Sequence, residues 1–125
     1  LNCAGDALVI GSDTLLYRLV FNLVENAIRY SRPDSTVNVS ICDNDSRVFL
    51  RVEDQGPGIP KQYRESIFQP FFRLDKSRSR AYGGAGLGLA LVWEIAALHG
   101  GVAEVEASSE NGTVMLVTLS KGATT

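Results

Sequence analysis

The chain has 125 residues, and its 12 Lys and Arg against 14 Asp and Glu leave a net charge of −2. That length supports one hydrophobic core. The charge balance excludes a whole-domain nucleic-acid footprint, and no apolar run approaches a membrane span. The two cysteines, Cys3 and Cys42, are too few for a disulfide framework and lack CxxC spacing, so both are read as reduced thiols of a cytoplasmic domain. The chain opens on Leu1 without a secretory signal, and it is expected to be a fragment of something longer.

In chain order, "ALVI" (7–10) reads as a short strand. Ser12 or Asp13 then offers an N-cap. From Thr14 to about Ser31, Leu16, Leu19, Leu23 and Ala27 recur at helical spacing, and Pro33 stops the helix. "TVNVSI" (36–41) alternates strictly, with Val37, Val39 and Ile41 on one face, "RVFLRVED" (47–54) alternates with Val48, Leu50 and Val52 inward, and "DNDS" joins them as a hairpin. A short helical segment is expected near Lys61 to Ile67. "LGLALVWEIAALH" (87–99) reads as an apolar helix closed by Gly100 and Gly101. Two last strands, "VAEVEAS" and "TVMLVTL", meet at a turn through Asn111 and Gly112. The order predicts helices on one face of a largely antiparallel sheet.

Three groupings carry possible chemistry. At about 100° per residue, Asn22, Asn26 and Arg29 fall within about 60° of one another, beside the apolar stripe of Leu23 and Ala27. Amide oxygens in such a half-buried groove suit Mg²⁺, and Arg29 suits a phosphate; the same residues also suit the polar surface of any amphipathic helix. In "EDQGPGIP", Asp54 shares the inward parity of Val52. A buried carboxylate is costly without a donor, and the exocyclic amine of adenine supplies one where guanine presents an acceptor. Gly56 and Gly58 let the backbone turn close to a ligand, although a glycine turn after a strand would look alike. "GGAGLGLAL" (83–91) runs into a helix N-terminus, where phosphates bind readily; a flexible linker is the alternative. No GK[ST] follows and no strand leads directly in, so it is neither a Walker loop nor a dinucleotide fingerprint.

Before it, Arg73, Lys76, Arg78 and Arg80 are opposed only by Asp75. A basic, glycine-hinged loop suits a lid over a triphosphate or a solvated surface loop. Phe68, Phe71 and Phe72 would anchor it or fill the core. His99, at a helix end without metal-ligand or triad partners nearby, is assigned to capping or packing.

Asn22-x-x-x-Asn26 with Arg29-Tyr30, then Asp54-x-Gly56-x-Gly58, the phenylalanine segment and Gly84-x-Gly86-x-Gly88, in this order, resemble the N, first glycine, F and second glycine boxes of bacterial sensor histidine kinase catalytic domains. "HGG" (99–101) and "NGT" (111–113) resemble the family's late segment. The resemblance spans nearly the whole chain. It implies a Bergerat α/β two-layer sandwich with a mixed, mostly antiparallel sheet and helices on one face. It implies ATP and Mg²⁺ as ligands, with Asn26 on the metal and Asn22 assisting. Arg29 and Tyr30 would contact nucleotide, and Asp54, Gly56 and Gly58 would form the adenine side. Arg73, with Arg78 and Arg80, would touch phosphates, and Gly84, Gly86, Leu87 and Gly88 would hinge the lid and offer backbone amides. Asn22 and Arg73 are the expected catalytic pair.

The same resemblance implies transfer of the γ-phosphate to a histidine on a separate dimerisation domain absent from this sequence, and indirectly a response regulator. It implies a monomeric fragment, a cytoplasmic location and an intact protein anchored in the inner membrane. Two alternatives stand beside it: an ATPase of the same superfamily and a non-catalytic nucleotide-binding module. Related ATPases carry a water-activating glutamate where Asn22 stands, and an amide cannot take that proton usefully.

Overall fold

Leu19, Leu23 and Ala27, spaced along one face of α1 (Asp13–Tyr30), are almost wholly buried. They seat the helix on a sheet built from β1 (Asn2–Cys3), β2 (Asn38–Asp43), β3 (Arg47–Asp54), β4 (Val102–Ser109) and β5 (Gly112–Ser120). A second helix, α2 (Gly88–Leu98), contributes Val92, Ile95 and Ala96 to the same core. The computed structural model describes residues 2–3, 13–70, 72 and 88–121. The expected strand at 7–10 lies outside them.

The strand order is β1-β2-β3-β5-β4, and every pairing among the described strands is antiparallel. The central pair β3 and β5 runs in register from Arg47 opposite Ser120 to Asp54 opposite Thr113. Alternation decides which face is buried. Val48, Leu50 and Val52 of β3 and Met115, Val117 and Leu119 of β5 point to the helices. Val39 shares their side yet is 47% exposed, because β2 lies away from the centre of the sheet. On the other face a bulge between Val105 and Ala107 leaves Glu106 out of register. Its carboxylate takes a two-pronged bond from Arg51, at 2.7 and 2.9 Å.

The helix expected near Lys61 to Ile67 resolves into two 3₁₀ turns, Lys61–Tyr63 and Ser66–Phe68. Ile67 and Phe68 leave the second turn to enter the core, and Phe68 meets Trp93 of α2 with ring centroids 5.5 Å apart. α2 ends as expected: Gly100 takes φ +70° and Gly101 N–H reaches back to Ala96 O at 2.8 Å. His99 Nδ1 donates to Ile95 O at 2.8 Å, which fits a helix-end role.

The reading of both cysteines as reduced thiols is corrected. Cys42 is buried and disulfide-bonded. The chain's other cysteine, Cys3, lies directly opposite it in the β1–β2 register, the separation at which antiparallel strands admit a cross-link. Sequence spacing alone does not show that pairing.

Truncating the core should separate the two faces energetically. Leu23→Ala is expected to lower unfolding free energy by about 2–5 kcal/mol through the cavity it leaves. Arg51→Ala, which breaks a partly exposed pair, should cost less than about 1 kcal/mol. Urea unfolding of the two variants measures the difference.

Candidate functional site

The half-buried stripe of α1 is formed as the helical period requires. Asn22, Asn26, Arg29 and Tyr30 are all partly buried, next to fully buried Leu23 and Ala27. Asn22 Nδ2 donates to Arg18 O at 2.7 Å, which fixes the amide and leaves Oδ1 accepting nothing from the described residues. That oxygen faces α2: a Cβ built on Gly88 would lie 3.2 Å from it. The first helix and the start of the second are thereby brought together at Asn22. The Asn26 side chain makes no hydrogen bond among the described residues, whereas Arg29 pairs with Glu25 one turn back at 3.5 Å. Two amide oxygens one turn apart in a half-buried groove fit a hard cation that retains waters or phosphate oxygens as its other ligands. No cluster of three or more His, Cys, Asp or Glu among the described residues offers an all-protein metal cage.

At the far end of α1 the chain packs against the turn after β3. A Cβ on Gly56 would lie 2.4 Å from Tyr30 O, and one on Gly58, at φ +87°, 2.2 Å from Ser109 O. Only glycine allows the turn to sit this close to both neighbours. Between them Asp54 is 7% exposed, as its parity predicts. Its Oδ1 accepts from Gly56 N at 2.9 Å and from Thr113 N at 3.3 Å. Oδ2 accepts nothing from the described residues. Burial drives the Asp54 pKa up, more than the two backbone N–H bonds and the nearby Glu53 charge offset or add.

Behind Asp54 lies a polar chain that the motifs do not announce. Thr113 Oγ1 and Ser108 Oγ are 2.8 Å apart, and Ser108 Oγ accepts from Ile59 N at 2.8 Å. Arg64 donates to Ile59 O and Ser108 O at 3.2 and 3.1 Å. The sequence signal was present only as "NGT", which resembled a family segment without assigning Thr113 a role. The structure thus joins Asn22 with Gly88 and joins Tyr30 with Gly56 beside Asp54, with α1 as the shared wall. Arg73, Arg78, Arg80, Gly84, Gly86, Leu87 and Phe71 lie outside the described residues. Phe68 is buried and Phe72 packs against the core and against Tyr63, 5.7 Å between ring centroids.

This geometry has counterparts. Residues 11–123 match the model of the histidine kinase-, DNA gyrase B- and HSP90-like ATPases. The chain is 44% identical over 112 residues to the sensor-like histidine kinase SenX3 of Mycolicibacterium smegmatis, covering 90% of this chain and 29% of that protein. The solved structure of the mycobacterial sensor histidine kinase MprB superposes with a TM-score of 0.77 at 37% identity, over 90% of this chain and 74% of that one. Full-length ShkA in complex with AMPPNP gives 0.71 at 28% identity, over 84% of this chain and 21% of that one. The chain belongs to the histidine kinase-, DNA gyrase B- and HSP90-like ATPase family, as an ATP-binding catalytic domain of the sensor histidine kinase type. It spans 29% of the length of SenX3. Among the described residues, no helix is long and apolar enough to cross a membrane.

The raised Asp54 pKa has a signed consequence for stability. The folded state holds the Asp54 proton more tightly than the unfolded chain does. Stability should therefore fall as pH climbs from the ordinary aspartate value, about 3.9, through the raised one. Urea unfolding across that window should show the decline in the parent and its loss in Asp54→Asn. An unchanged slope in the variant would place the titration elsewhere.

Proposed function

We propose that this chain binds ATP with Mg²⁺ and donates the γ-phosphate to a histidine on the dimerisation domain of the same kinase, from which a response regulator takes it. The observation that carries the reading is Asp54: a buried carboxylate with one oxygen held by two backbone amides and the other left for a ligand donor. The exocyclic amine of adenine has the required hydrogen, whereas guanine would set an acceptor against an acceptor. Gly56 and Gly58 let the turn beside Asp54 pack directly on the Tyr30 and Ser109 carbonyls, which fixes the wall on which the base would lie.

At the other end of α1, Asn26 would hold Mg²⁺ with the Asn22 amide oxygen beside it. The bound ion would neutralise charge on the phosphate oxygens, since phosphoryl transfer demands mainly positioning and charge stabilisation. Arg29 and Tyr30 would contact the nucleotide. Arg73, Arg78 and Arg80 would meet the phosphates from the lid, with Gly84, Gly86, Leu87 and Gly88 supplying backbone amides at the start of α2. Arg73 and Asn22 would be the residues nearest the transferred group. The intact protein would be an inner-membrane-anchored dimer with this domain in the cytoplasm. Asn22 argues against water as the acceptor, because an amide is no base where related ATPases carry a glutamate.

Mixed with an acceptor domain and γ-labelled ATP, the chain should give acid-labile, base-stable phosphate on the acceptor. Asn26→Ala should abolish the Mg²⁺-dependent labelling. Asp54→Asn should weaken ATP binding by roughly 1–3 kcal/mol, as expected for a lost hydrogen bond to a charged group, while GTP binding does not weaken, since the opposing acceptor is removed. Steady release of inorganic phosphate without any acceptor labelling would overturn the transfer reading in favour of an ATPase.

A further inference from the structure

We infer that Arg32 is a positioning residue for the base end of the site, acting on Asp54 through the two backbone segments that flank it. This rests on the assignment of Asp54 to adenine. Arg32 follows α1, just after Tyr30 and Ser31. Its guanidinium spans a gap between two loops: Nη1 donates to Gln55 O at 3.1 Å and Nη2 to Glu110 O at 2.6 Å. Gln55 O also receives Arg32 N at 3.4 Å, and Gln55 Oε1 receives Thr36 N at 3.2 Å. Gln55 is the residue between Asp54 and Gly56, and Glu110 lies in the turn joining β4 to β5, three residues before Thr113.

These are the two segments whose amides hold Asp54 Oδ1, Gly56 N from one and Thr113 N from the other. The direction in which Oδ2 points therefore depends on the separation of the Gln55–Gly56 turn from the β4–β5 turn. On the inner side Ile59 N–H on Ser108 Oγ, and Arg64 bridging Ile59 O and Ser108 O, tie that separation. On the outer, solvent-exposed side the Arg32 fork does so. A planar guanidinium with two divergent N–H edges can bridge two carbonyls at fixed spacing. An ammonium is a point donor without that geometry. Arg32 touches no reacting group, so its loss should move base recognition and leave the phosphate end intact.

The test uses the full-length kinase that carries this domain. In Arg32→Ala, KM for ATP in autophosphorylation should rise about tenfold with kcat within about twofold, the scale of one to two lost hydrogen bonds expressed through binding. The preference for ATP over GTP should narrow in parallel, because a mis-aimed Oδ2 loses its bond to adenine and no longer opposes the guanine acceptor. Arg32→Lys, which keeps the charge without the fork, should show the same two changes at smaller size, and it carries the test should Arg32→Ala be poorly folded. Arg51→Ala, on the far face of the sheet, controls for general destabilisation and should leave both readings unmoved. If Asp54→Asn narrows the ATP preference and neither Arg32 variant does, Arg32 is merely a surface tie and the assignment is overturned. If Asp54→Asn leaves the preference intact, the adenine reading itself falls, and the role of Arg32 with it.

Discussion

The site depends on a carboxylate placed where carboxylates are costly. Asp54 ends the central strand on its buried side, so folding takes a charge out of water, and burial pushes its pKa up accordingly. Among the described residues this is offset on one oxygen only, with two backbone amides. A fully satisfied carboxylate would be a structural group. One with a single oxygen provided for has remaining affinity for a donor, and it is rigid because both amides come from packed backbone. The glycines around it serve the same constraint, since any side chain at Gly56 or Gly58 would displace a neighbouring carbonyl.

Much of this was legible in the sequence because it follows from period. Alternation in "RVFLRVED" put Val48, Leu50, Val52 and then Asp54 on one side, and they are buried together. Helical spacing put Asn22 and Asn26 beside the Leu23 and Ala27 stripe, half-buried as found. Where local pattern competes with tertiary demand it misleads. Val39 alternates correctly yet stays exposed on β2, away from the centre of the sheet. The Lys61 to Phe68 segment breaks into tighter turns to deliver Ile67 and Phe68 to the core.

What stayed hidden was pairing across distance. Thr113 reaches Asp54 over 59 positions, and Arg32 reaches Glu110 over 78. Ser108 binds a backbone amide 49 positions away. None of these residues stands in a local pattern that marks it, since a Thr, a Ser or an Arg in a turn is ordinary. The register of Cys42 opposite Cys3 is the same kind of fact. It depends on which strand β1 joins, which two residues of alternation cannot specify.

The two ends of α1 solve different problems, and the choice of amide at Asn22 shows how. Near Asp54 the acceptor is oriented by backbone donors from other segments. At Asn22 the side chain orients itself: Nδ2 is spent on Arg18 O within the same helix, which turns Oδ1 toward the start of α2. A glutamate there would have no N–H to give Arg18 and would gain a second acceptor and a charge. It would be aimed less firmly and would serve water activation instead. An amide in this position is a neutral, fixed oxygen that removes a proton from nothing, which is what the proposed reading asks of a group beside a metal and phosphates. The proposed transfer would require the same, since its phosphate would have to wait for a protein acceptor and not be lost to water.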